Sequence, residues 1–164
     1  LHTEDVANRI EEIDLPKIKK VMYAKGHYYL YKKKNPFKHL IYPLPNSNGH
    51  GIHAGMDIDN NLRFGPNAKW VDSVDYSFDE NTLEEFCNSI KSYWIDFDPS
   101  CLMPDYTGIR SKIVADGEGG QDFEILDPSD HGLENLIHLQ GVDSPGLTSS
   151  LSIATEVIEK LGIH

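Results

Sequence analysis

The chain has 164 residues, about one domain's worth, with 15 Lys and Arg against 26 Asp and Glu and a formal charge of −11. That balance excludes a basic groove for nucleic acid and a polybasic membrane surface, since both need an excess of cations. A hydrophobic content of 39% describes an ordinary globule, and no run approaches the ~18 apolar residues of a membrane-spanning helix.

Leu1-His2-Thr3-Glu4 shows no starting Met, basic region or apolar run, which points to a chain trimmed or cut from something longer. Cys87 and Cys101 make neither a disulfide framework nor a C-x-x-C pair, so a reducing, cytoplasmic compartment is expected. Val6, Ile10 and Ile13 recur at helical spacing and predict a helix over 3–13, with Thr3 as its cap. Val21 to Ala24 and the aromatic run Gly26 to Tyr31 read as two strands. Lys32 to Pro36 reads as a solvated turn, and Leu40 to Tyr42 as a short strand ended by Pro43.

Gly51 to Ile58 and Leu62 to Phe64 predict a hairpin about the turn Asp59-Asn60-Asn61. Leu83, Phe86, Ile90 and Tyr93 make one stripe of a helix over 79–94, capped by Asp79. A strand follows over 106–114, then a glycine-rich loop over 116–121. Two short strands over 123–126 and 136–139 come next. Leu151, Ala154, Ile158 and Leu161 form the apolar row of a last helix over 148–161, stopped by Gly162. Strands with flanking helices and no repeat make the fold class α+β, with a mixed or antiparallel sheet.

Several short patterns carry little chemistry. Asp57, Asp59 and Asn61 begin like a calcium loop, but Leu62 and Ala68 stand where Gly and Glu are required, so a hairpin turn is expected. His50 and His53 fall on opposite faces of a strand and make no zinc pair, and no metal site is expected. Gly117 to Gly120 lack the Lys-Ser/Thr of a phosphate loop. Arg110 suits bidentate capture of a carboxylate, or a structural ion pair with one of the acids. The stretch Gly141 to Thr148 joins a strand to a helix. It is either a plain turn capped by Thr148 or a backbone surface offering N–H groups to an anion or ring edge.

Taken in order, a set of segments resembles the C-terminal portion of FAD-dependent oxidoreductases of the D-amino-acid-oxidase-like superfamily, nearest the L-2-hydroxyglutarate oxidase/dehydrogenase branch. The segments are Lys25-Gly26-His27-Tyr28-Tyr29, Ile41-Tyr42-Pro43-Leu44-Pro45, Gly51-Ile52-His53 and Phe64-Gly65-Pro66-Asn67-Ala68. They continue with Asp105-Tyr106-Thr107-Gly108-Ile109-Arg110, Asp130-His131-Gly132 and Ser144-Pro145-Gly146-Leu147-Thr148-Ser149-Ser150. The resemblance implies oxidation of a 2-hydroxy acid to the 2-oxo acid by hydride transfer to flavin. It implies Arg110 and Tyr106 at the substrate, and His53 as general base with His131 a second candidate. Gly141, Ser144, Pro145, Gly146, Leu147 and Thr148 then lie against FAD.

By the same resemblance, residues 1–14 end an FAD-binding domain, 15–139 form the substrate-binding domain, and 140–164 form the FAD-contacting turn and helix. No strand–G-x-G-x-x-G–helix segment occurs in these residues, so the main dinucleotide-binding half is missing. FAD is expected in the complete enzyme and not in this chain by itself. The partners implied are a small 2-hydroxy acid and an N-terminal FAD-binding half. Uncovered apolar faces imply burial by that half or self-association. An amino-acid oxidase, or a non-catalytic module of the same fold, are the competing readings.

Overall fold

The computed structural model describes residues 1–13, 15–44, 51–114 and 122–163. They divide into two units, one built from 1–23 and 110–164 and the other from 24–109. His50 and the glycine-rich loop expected over 116–121 lie outside the described residues.

The 24–109 unit is built on an antiparallel sheet. Its strands are β1 (Met22–Tyr31), β2 (Ala54–Met56), β3 (Leu62–Phe64), β4 (Lys69–Val71) and β5 (Leu102–Lys112), in the order β2-β3-β1-β4 with β5 also pairing β1. The two strands predicted over 21–31 are one, because Lys25 and Gly26 continue the pleat without a turn. The register sets Tyr29 opposite Phe64, and Gly55 opposite Arg63. The predicted hairpin forms, but its first strand is only Ala54–Met56, and Leu40 to Tyr42 reduces to a single bridge between Ile41 and Ala54.

Alternation then divides the sheet. Tyr29, Tyr31, Ile52, Ala54, Leu62 and Phe64 point inward and are buried. They pack with Phe86, Ile90 and Phe97 into one aromatic-rich core. Phe86 and Ile90 come from α2 (Leu83–Lys91), which is shorter than predicted at both ends. Residues 80–82 form a 3-10 turn instead, because Thr82 is committed elsewhere: its Oγ1 donates to the Asp79 carbonyl at 2.7 Å and lies 3.0 Å from the Tyr29 hydroxyl. Asp79 caps that turn by accepting from the Asn81 N–H.

The Asp57–Asn61 turn closes the hairpin through hydrogen bonds and an ion pair. The Asp57 carboxylate accepts from the N–H groups of Asp59 and Asn61 and from Asn61 Nδ2, and it pairs with Arg63. Among the described residues no cluster of metal-ligating side chains exists. The Asn61 amide is the largest of several donors that hold the Asp57 carboxyl down at about 2, against an ordinary 3.8. A carboxyl depressed by folding stabilises fully above its unfolded value and loses that contribution as pH falls through its folded one. Asp57→Asn is therefore expected to flatten the acid limb of the stability curve between 3.8 and about 2. Urea midpoints measured across that window check it; an unchanged limb would contradict this role.

The second unit holds α1 (Thr3–Ala7), β6 (Glu124–Leu126), α3 (Pro128–His131), β7 (His138–Gln140) and α4 (Ser150–Lys160), with β6 and β7 paired antiparallel. The helix predicted over 3–13 ends at Ala7. The bonds tighten to Arg9 N–H with Val6 and Ile10 N–H with Ala7, and Glu12 turns to a φ of +69°. Thr3 is not its cap; its hydroxyl donates to the Leu139 carbonyl on β7 at 2.8 Å. Gln140 is buried, accepting from the Lys19 N–H and donating to the Lys17 carbonyl and to Glu124.

On α4 the row Leu151, Ala154, Ile158 and Leu161 is covered only in part: Leu151 is 84% exposed, whereas Leu161 is half-buried, as are Ile153 and Val157 beside the row. Ile153, Ala154, Val157 and Ile158 line an apolar groove of about 420 Å³ with Leu139 and Val142. Gly162, at φ +66°, stops the helix as expected: its N–H bonds the Glu159 carbonyl, and the Ile163 N–H bonds that of Ile158. No described helix is long and apolar enough to cross a membrane.

Candidate functional site

The face of the sheet opposite the core is the one that chemistry can reach. On β1 it carries Tyr28 and Leu30, between the buried Tyr29 and Tyr31. Arg63 stands opposite Leu30, and Gly55 opposite Arg63, so both share this face. His53 joins them, since its neighbours Ile52 and Ala54 point into the core. Its ring lies 4.3 Å from that of Tyr42, at 51°. Tyr106 joins from β5, stacked on Tyr28. Burial, then the neighbouring Tyr28, pushes the Tyr106 hydroxyl above its ordinary value. The phenol is thus protonated, a hydrogen-bond donor, at neutral pH.

Two arginines differ sharply. Arg63 donates from Nε to Asp105 at 2.6 Å and from Nη1 to Asp57, so its charge is spent within the unit. Arg110, half-buried on β5, makes no ion pair among the described residues. Tyr106 and Arg110 are four residues apart on one strand, and the period of two gives them the same parity.

His53 and Tyr106 belong to the 24–109 unit, whereas Arg110 and the 141–148 turn belong to the other. His131 is fully buried, its Nδ1 accepting from the Leu133 N–H. The turn is tight and built from small residues. Gly141 has φ +71°, and a Cβ there would come within 2.6 Å of Ile113. Gly146 is buried against Val142 and Asp143 in the same way, while Leu147 is 90% exposed. Thr148 is not the cap of α4. Its hydroxyl and that of Ser149 both donate to the Pro145 carbonyl, and the cap position is Ser149 with no side-chain bond to the helix. Among the described residues the Leu147 and Thr148 N–H groups have no acceptor. Unspent donors and an exposed approach fit a group such as FAD lying against this turn.

Sequence reasoning singled out neither Tyr28 nor Arg63. The alternation in His27-Tyr28-Tyr29 held the signal for Tyr28. No pattern could have paired Arg63 with Asp105, 42 residues away.

A model of the family described as "FAD dependent oxidoreductase" matches residues 5–160. The chain is 33% identical to the mitochondrial L-2-hydroxyglutarate dehydrogenase of Arabidopsis thaliana, over 98% of this chain and 36% of that protein. It is 31% identical to the glycerol 3-phosphate oxidase of Mycoplasma genitalium, over 85% of this chain and 36% of that one. The dithionite-reduced L-alpha-glycerophosphate oxidase from Mycoplasma pneumoniae, with FAD bound, superimposes with a TM-score of 0.76 at 19% identity. That match covers 99% of this chain and 41% of the other. The chain thus spans about a third of the length of the curated relatives it matches. Its matched span and its α+β architecture place it plainly: the chain belongs to the DAO family of FAD dependent oxidoreductases.

Proposed function

We propose that this chain is the substrate-holding part of an oxidoreductase that converts a 2-hydroxy acid of the L-2-hydroxyglutarate kind to the 2-oxo acid. The observation that carries the reading is Arg110, a half-buried guanidinium without an ion pair among the described residues of a protein of charge −11. A substrate carboxylate supplies the bidentate partner that such a group lacks. A guanidinium fork accepts a carboxylate or a phosphate; the higher identity and fuller coverage of this chain by the L-2-hydroxyglutarate dehydrogenase support the 2-hydroxy acid over glycerol 3-phosphate, the compound named for two other relatives.

In this reading Arg110 grips the carboxylate and Tyr106 donates its phenol hydrogen to a substrate oxygen. His53 takes the hydroxyl proton, leaving the oxygen's electron pair to form the new carbonyl. When bound, FAD supplies the acceptor for the carbon-bound hydride. Gly141, Ser144, Pro145, Gly146, Leu147 and Thr148 would hold the cofactor, through the unspent N–H groups of the turn and the positive end of α4. The nucleotide-binding half is a partner in this reading, covering the exposed Leu147 and Leu151. Residues 15–139 serve as the substrate domain, between a short 1–14 segment and the 140–164 turn and helix.

The test is anaerobic mixing of the flavin-loaded protein that contains this chain and its nucleotide-binding half with either compound. L-2-hydroxyglutarate is expected to bleach the visible flavin absorbance, and glycerol 3-phosphate to leave it. Bleaching by glycerol 3-phosphate alone would overturn the substrate reading.

A further inference from the structure

The Tyr28–Tyr106 pair has a geometry of its own. The ring centroids lie 4.4 Å apart with only 14° between the planes. The core aromatics around Tyr29 and Tyr31 meet edge-on or tilted instead. The room for the Tyr28 ring is made by Gly65, whose φ is +140°. A Cβ on Gly65 would come within 2.8 Å of Tyr28 Cδ1 and 2.6 Å of the His27 carbonyl, so this position accepts only glycine.

Tyr106 needs such a neighbour. It is 48% exposed, and an aromatic ring so open to solvent keeps rotamer freedom unless something holds it. Its backbone is steadied next door, where Asp105 accepts from Arg63, and one residue on, where the Thr107 hydroxyl donates to the Tyr76 carbonyl at 2.8 Å. With the backbone held on both sides, the freedom left at Tyr106 is that of its side chain.

We propose that Tyr28 is a positioning residue: its ring, lodged over Gly65, fixes the plane in which the Tyr106 phenol meets the substrate. This rests on the reading of Tyr106 as a substrate-binding residue. Tyr28 acts on Tyr106 through its ring face, which Tyr28→Phe keeps.

The experiment is steady-state turnover of L-2-hydroxyglutarate by the flavin-loaded protein containing this chain and its nucleotide-binding half. Tyr28→Ala, Tyr28→Leu, Tyr28→Phe and Tyr106→Ala are compared, with a melting midpoint for each. Loss of one parallel ring contact is expected to raise KM about three- to tenfold in Y28A and Y28L, with kcat near the parent's. Y28F keeps the ring face and should restore the parent KM, whereas Y28L keeps the bulk without the ring and should not. Y28L keeps the bulk, so it gives the answer if Y28A does not fold. A raised KM in Y106A with none in Y28L overturns the positioning role and leaves Tyr106 as a substrate residue. An unchanged KM in Y106A removes the reading of Tyr106 itself, and the proposal falls with it.

Discussion

Phe86→Ala is expected to lower the unfolding free energy of the 24–109 unit by about 3–5 kcal/mol. Phe86 is completely buried, and its ring centroid lies 4.6 Å from that of Tyr29. It stands where α2 meets the inner face of the sheet, within the cluster that includes Phe64, Ile90 and Phe97. Truncation removes the ring from water-free surroundings and leaves a cavity, because close-packed neighbours relax only in part. A loss of that size is a large share of the ~5–15 kcal/mol of an ordinary domain. Ile90→Val, one methyl group smaller at a buried site, should cost about 0.5–1.5 kcal/mol. Urea midpoints of the three proteins give the comparison. Equal midpoints for Phe86→Ala and the parent would mean that α2 does not seal this core.

Arg110→Ala is expected to raise the KM for L-2-hydroxyglutarate about 10- to 100-fold, with a smaller change in kcat. The size follows from a charge-assisted bond to a carboxylate, worth ~1.5–3 kcal/mol. The direction follows from the structure. Arg110 pairs with no carboxylate among the described residues, so its loss leaves none of those acids unpaired. Arg63 differs: removing it strands Asp57 and Asp105 together, and a fold effect would mask a binding effect. Arg110→Lys keeps the charge but not the planar fork, and should recover only part of the affinity. Kinetics on the flavin-loaded protein with its nucleotide-binding half, read beside the melting midpoint, separate the two effects. An unaltered KM for Arg110→Ala would remove the carboxylate grip from the mechanism.

The resemblance carried by segments such as Gly108-Ile109-Arg110 and Ser144-Pro145-Gly146-Leu147-Thr148 agrees with the family match over 5–160. Whether the residues it assigns act as proposed is what the experiments above decide. The 55–64 hairpin was legible because its determinants are local. Asp57 and Asn61 close the turn through bonds within five residues, and Asn60 tolerates its φ of +64°. The stop at Gly162 was legible for the same reason, since a left-handed cap needs a glycine.

Other features depended on neighbours far along the chain. Helix α1 is short, and the Thr3 hydroxyl donates to the Leu139 carbonyl on β7 rather than capping its own helix. Helix α4 turns Ile153, Ala154, Val157 and Ile158 toward a groove that Leu139 and Val142 also line, and leaves Leu151 exposed; periodicity fixes the spacing of an apolar row but not how much of it is covered. The partner of each arginine was likewise decided in three dimensions. Fold class, acidic surface, turn chemistry and family follow from the order of residues in the chain. The partners of Arg63 and the stacking of Tyr106 on Tyr28 follow from strand register, since pairing sets which distant side chains share a face.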